Sequence, residues 1–221
     1  MFFFMLLAYS MVFALLAAVV CHREWGGCYI WAKIVSSLAF FAVFVISARI
    51  SGQSAVFFRM LPAFLCCFVG DIFMAVYNRT RRKPYFLLGL VVFLGGHLFF
   101  VRWLCGMQRI SVTDILLASA AVAVACGLCG LEGMHTGRLR PFVLVYTFFV
   151  ALFFVKAWRL ALVNPALPAF LAAVGSALFF VSDISILFLY FWKKKSTAVH
   201  LFNLATYYYG VFLLASHLLF L

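Results

Sequence analysis

The sequence predicts an all-α fold: a polytopic transmembrane helix bundle of about eight helices, forming one domain over 1–221. Three observations predict it. Of 221 residues, 68% are hydrophobic and 10% charged, against roughly 45–50% and about 25% in ordinary globular domains. The apolar residues gather into runs close to the roughly 20 residues that a helix needs to cross about 30 Å of hydrocarbon. The polar intervals between runs are short, which makes neighbouring helices antiparallel.

The runs follow in order. The first, 2–21, opens on three phenylalanines, and no Lys or Arg precedes His22. It therefore lacks the basic flank of a secretory signal peptide and is expected to be retained as a helix. The second, 28–48, carries Lys33 near its start, where a lysine is expected to snorkel to the interface. The third, 55–77, contains Asp71, and the basic tract Arg79–Lys83 follows it. The fourth, 84–105, contains His97; the fifth, 111–130, is rich in Ala, Gly and Cys, with Asp114 near its start. The sixth covers 141–162. The seventh, 166–192, contains Asp183, and the eighth, 198–221, holds Tyr207, Tyr208 and Tyr209 in mid-run.

Net charge is +12, from 17 Lys and Arg against 5 Asp and Glu. Nucleic-acid binding is excluded as a reading, because the basic residues form short tracts between apolar runs rather than a patch on a polar domain. Such tracts suit loops on the cytoplasmic face. With the N-terminus outside, eleven of the basic residues fall on the cytoplasmic side and six opposite. Both termini are then outside, in a membrane taken to be the bacterial inner membrane. The Lys193–Lys195 and Arg79–Lys83 tracts are topology signals first, though either can also touch a lipid phosphate. Seven cysteines lie mostly inside apolar runs, and the Cys126–Cys129 CxxC has no companion at metal spacing.

Asp71 and Asp183 break the apolar pattern. An ionised side chain at mid-membrane costs at least about 2.5–3.5 kcal/mol, so it normally faces protein, a partner or water. Asp71 lies eight residues before Arg79 and Asp183 ten before Lys193. Helical rise then puts both roughly 12–15 Å from the same membrane face. His97 and the three tyrosines sit somewhat deeper. Small residues accompany them, namely Gly70, Gly95, Gly96, Gly175, Ser176 and Ser182, and these let helices approach closely. A polar pocket between the third, fourth, seventh and eighth helices is expected. A structural role is the alternative for each residue, with Asp71 paired to Lys33, Arg59 or a backbone donor.

Taken in order, four segments resemble the YhhN family, the lysoplasmalogenase-like membrane proteins. They are CFVGDIFMA at 67–75, GLVVFLGGHLFF at 89–100, GSALFFVSDISI at 175–186 and ATYYYGVFLL at 205–214. The stretch RPFVLVYTFFVALFFVKA at 140–157 is similar to the family's sixth helix. Phe100, Val211 and the Lys33–Ile34 pair depart from the family pattern. The resemblance implies hydrolysis of the vinyl ether bond of lysoplasmalogen, giving a fatty aldehyde and a glycerophospho-alcohol. The implied partners are a lysophospholipid substrate and membrane lipids, and no cofactor is required.

The residues suit that chemistry, which needs an acid, a base for water and negative charge beside an oxocarbenium ion. Asp183 is assigned as the acid and Asp71 as the carboxylate beside the cation; the reverse assignment is open. His97 would hydrogen-bond one of them, while Tyr207, Tyr208, Lys33 and Ser182 are the candidate substrate-binding residues. A zinc ion on Asp71, His97 and Asp183 is a variant. Two rivals belong to other classes: a proton-coupled carrier, against which no internal repeat is evident, and a non-catalytic membrane protein that binds lipid or only glues helices.

Overall fold

A computed structural model describes residues 1–194 and 196–221; Lys195 and the side chain of Arg23, both counted among the basic topology signals, lie outside the described part. Among the described residues there are eight α-helices: α1 (Phe2–Cys21), α2 (Tyr29–Ser51), α3 (Ser54–Thr80), α4 (Lys83–Cys105), α5 (Val112–Leu128), α6 (Arg140–Val163), α7 (Leu167–Ile186) and α8 (Thr197–Ser216). Seven are long and apolar enough to cross a membrane, so the chain is an integral multi-pass protein. The exception is α5, with 17 residues, or roughly 25 Å of helix.

Local chemistry sets the boundaries. Pro84, Pro141 and Pro168 stand in the first turns of α4, α6 and α7, where the missing N–H costs nothing. Gly52 ends α2 at φ +69°. Ser111 and Asp114 form a reciprocal capping box at the start of α5, at 2.9 and 3.3 Å. Asp114 is also fully buried and pairs with Arg159 of α6 at 3.0 Å and with Lys156 at 3.8 Å. These charges tie α5 to α6. The seventh helix, expected to run to 192, instead widens into a π-helical turn at Leu187–Phe191.

The packing order is a closed ring: α2 on α3, α3 on α4, α4 on α6, α6 on α7, α7 on α8, and α8 back on α2. Outside it, α1 packs on α2 and α8, and α5 packs on α6. The polar pocket was expected among four helices; α2 adds Tyr29 and Lys33 to its wall. This ring also corrects the expectation of no internal repeat. Exchanging α1–α4 for α5–α8 leaves the order of the ring unchanged, although the contact of α1 with α8 has no equal between α5 and α4. The sequence FV(G/S)DI occurs at the same place in both halves, at 68–72 and 180–184.

Close crossings hold the ring shut. A Cβ on Gly70 would lie 2.9 Å from the Phe93 ring, so α3 and α4 touch there. Gly175 and Gly210 face one another across α7 and α8, each with an imagined Cβ 2.9 Å from the other's carbonyl oxygen. Gly210→Val is expected to cost about 1–3 kcal/mol through overpacking. Gly127→Ala, with nothing within 4 Å of the new Cβ, should hold or raise the melting temperature. Tryptophan fluorescence melts in detergent read both, and a Gly210→Val protein melting like wild type would contradict this crossing.

Candidate active site

The two acidic residues reach the centre of the ring from opposite halves. Asp71, on α3, is 1% exposed. Its Oδ1 lies 2.9 Å from Lys33 Nζ of α2, an ion pair by distance though not aligned as a directed hydrogen bond. Its Oδ2 accepts hydrogen bonds from Ser37 Oγ at 2.6 Å, Tyr207 OH at 3.0 Å and Tyr208 OH at 3.4 Å. An ammonium and a fan of hydroxyls are the partners of an ionised carboxylate. Lys33 was expected to snorkel to the interface. It is buried instead, because the Asp71 carboxylate offers it a counter-charge that the apolar wall does not.

Asp183, on α7, has different company. Tyr146 of α6 donates to its Oδ1 at 3.1 Å. His97 Nε2 of α4 faces its Oδ2 at 3.2 Å, close by distance though not aligned as a directed hydrogen bond, and neither atom has a hydrogen-bond partner among the described residues. The other ring nitrogen, Nδ1, lies 2.9 Å from the Phe93 carbonyl oxygen. That oxygen can only accept, so Nδ1 carries a hydrogen. Nε2 and Oδ2 are thus two buried polar atoms left facing one another. The rings of Phe179 and Tyr146 meet the imidazole edge-on, with centroids at 4.6 and 5.7 Å, and hold its orientation.

The arrangement repeats between halves. Each aspartate takes one partner from the preceding helix of its own half, Lys33 or Tyr146, and one from the last helix of the other half, Tyr207 or His97. The repeat breaks in chemistry: a cation serves Asp71 where a phenol serves Asp183.

Three cavities converge here. A polar one of about 30 Å³ is lined by both Asp71 and Asp183, with Lys33, Ser182, Asn203 and Tyr207. That is room for a water molecule or two, with ample polar partners. An apolar one of about 290 Å³ lies between α4, α5, α6 and α7; Asp183, Tyr146 and Thr147 are its polar lining, and Leu90, Ala125 and Phe180 are among the rest. It occupies the place that α1 fills in the other half by packing on α8. A third, of about 450 Å³, is bounded by His22, Arg79 and Arg81 and shares Tyr29, Tyr190 and His200 with the polar one.

The remaining expected site residues divide. Tyr207 lines the polar cavity, whereas Tyr208 does not and stands behind Asp71. The Ser182 hydroxyl donates to the Asn203 carbonyl oxygen at 3.1 Å, and Asn203 Nδ2 returns bonds to Ser182 and Ser185. Ser182 thus clamps α7 to α8 at the cavity wall. Tyr209, the third tyrosine, bonds Ser10 of α1 at 3.0 Å. Among the described residues, no three His, Cys, Asp or Glu side chains converge as metal ligands. Sequence reasoning missed Ser37, Tyr146 and Asn203. Ser37 and Asn203 lie one helical turn from Lys33 and Tyr207, a spacing that puts each pair on one face, and Tyr146 is a lone phenol in the sixth apolar run.

The buried ion pair makes a measurable coupling. Lys33→Met strips Asp71 of its counter-charge and is expected to cost about 3–5 kcal/mol, while Lys33→Met/Asp71→Asn recovers most of that loss. Denaturation of the four proteins in detergent measures it; strictly additive losses would mean the two side chains are independent.

The sequence model of the YhhN family matches residues 28–218 of this chain. No curated protein and no solved structure matches it.

Proposed function

The chain belongs to the YhhN family, and from that premise we propose that it is a membrane-embedded hydrolase cleaving the vinyl ether bond of lysoplasmalogen. The single observation that carries the reading is the unlike company of two carboxyls on one cavity, Asp183 against His97 at 3.2 Å and Asp71 against Lys33 at 2.9 Å. In this reading Asp183, beside His97, carries the proton to be given, and Asp71, beside the Lys33 ammonium, serves as the anion. Environments that separate two carboxyls in this way divide the roles of acid and base between them. It supports Asp183 as the acid.

The steps balance with water as the only co-substrate. The proton passes from Asp183 to the vinyl carbon remote from oxygen, and the double-bond electrons form the new C–H bond. The carbon attached to oxygen becomes part of an oxocarbenium ion, flanked by the Asp71 and Asp183 carboxylates. Water in the polar cavity, oriented by Asp71, adds to that carbon and returns its proton to Asp183. The resulting hemiacetal breaks its original C–O bond; its hydroxyl proton goes to the departing oxygen, leaving aldehyde and glycerophospho-alcohol. His97 holds the acid in place and shares its charge. The 290 Å³ apolar cavity beginning at Asp183 suits the alkenyl chain, and the 450 Å³ basic chamber suits the head group. With the N-terminus outside, that chamber faces the cytoplasm of a bacterial cell.

A proton-coupled carrier is the second reading, and the repeated half is what favours it, since many carriers are built from such repeats. Product formation separates the two. Purified protein in detergent, given lysoplasmalogen, is expected to release aldehyde. Asp71→Asn and Asp183→Asn should each lower the rate by about 10²–10⁴-fold, the usual weight of acid–base catalysis. Ala125→Phe, filling the apolar cavity, should raise KM for long chains more than for short ones. Wild-type rates in both aspartate variants, or no aldehyde from wild-type protein, would sink the hydrolase reading; the carrier reading survives the second result.

A further inference from the structure

The 450 Å³ chamber is built from the α1–α2 turn, the end of α3 and the start of α8. Arg79, Arg81 and His22 are on its wall, and among its described lining residues none is acidic. A hydrogen-bonded chain runs along its inner side: Tyr190 OH donates to Asn78 Oδ1 at 3.2 Å, Asn78 Nδ2 donates to Tyr29 OH at 3.3 Å, and Tyr29 OH meets His200 Nε2 at 3.2 Å. Three of these four side chains also line the polar cavity. The chamber therefore adjoins the polar cavity of the two aspartates across this chain.

Arg81 is the one described non-glycine residue with positive φ, at +55°. It ends α3 in the left-handed conformation, with its N–H donating to the Tyr77 carbonyl oxygen at 2.7 Å. Glycine is the residue that such a helix end favours, because a Cβ is strained there. Arg82 and Lys83 come next in the chain and supply positive charge to this loop without that strain. A topology signal therefore needs no arginine at this position, and the chamber is what the Arg81 side chain has to serve.

The geometry points to Arg81 as the residue that binds the phosphodiester of a single-chain lipid, the strained turn holding its guanidinium at the chamber wall. The inference rests on the hydrolase reading for the kind of lipid. Along α3, Arg81 stands roughly 15 Å beyond Asp71, a span that a glycerol backbone and an extended arginine cover together. A guanidinium offers two parallel N–H donors to a phosphate, which a lysine does not.

The test needs binding and no cleavage, so it stands whether or not the vinyl ether chemistry is right. The probes are a saturated 1-O-hexadecyl lysophosphoethanolamine and 1-O-hexadecylglycerol, which lacks the phosphate, titrated into protein in a maltoside detergent. Wild-type protein is expected to bind the first about tenfold or more tightly than the second. Arg81→Gly should erase that difference, leave hexadecylglycerol binding unchanged and raise the melting temperature by about 1–3 °C. Arg81→Lys should fall between, and Arg138→Gln, a like change of charge elsewhere, should behave as wild type. Inorganic phosphate at millimolar concentration should not displace the lipid. Arg81→Gly binding both probes as wild type does would overturn the proposal. So would equal binding of the two probes by wild-type protein, or displacement of the lipid by inorganic phosphate.

Discussion

A carboxylate inside an oily bundle has to be compensated where it stands, and around Asp71 that requirement recruits two other helices. Lys33 and Ser37 come from α2, and Tyr207 and Tyr208 from α8. Removing one member of such a set leaves a buried charge without its partner, so the position of α2 between α3 and α8 is bound to the charge state of one side chain. The ring is closed by apolar packing, yet its register at the centre is electrostatic. Lys33 shows the constraint most clearly: a long cation that elsewhere would reach for the interface is held inside by a 2.9 Å contact.

Repetition supplies the scaffold and divergence supplies the chemistry. Both halves present an aspartate at the same point of the same motif, and both surround it from the preceding helix of one half and the last helix of the other. Identical partners would give two carboxyls of the same character. Lys33 against Tyr146, and Tyr207 against His97, make them unlike: one set brings an ammonium and a phenol to its carboxyl, the other a phenol and an imidazole. The same divergence acts on packing. Where α1 closes on α8, its counterpart α5 stays apart from α4, and the space left between them is the apolar cavity that ends at Asp183.

Three solvent regimes meet within a few residues of each other. Asp183 borders a space suited to hydrocarbon and a space suited to water, while Tyr29, Tyr190 and His200 separate that water from the basic chamber. The π-helical turn at Leu187–Phe191 makes this possible, since it directs Leu187 and Phe191 to the apolar cavity and Tyr190 to the two polar ones. The proposed ether-linked substrate has the same three parts in the same order.

Hydropathy along the chain was enough to read the all-α membrane class and the helical runs, because a bilayer demands apolar segments of a set length and satisfied backbones. The same rule exposed Asp71, His97 and Asp183, since a polar group in hydrocarbon is conspicuous in one dimension. Partnership was not legible. Whether Lys33 turns outward or inward, whether His97 serves Asp71 or Asp183, and that Tyr146 belongs to the site at all depend on which helix faces which. Helix faces in a membrane carry weak amphipathic signal, because lipid and protein interior are both apolar. The closed order of the ring, the repeat it reveals and the cavities between its members exist only once the helices are packed.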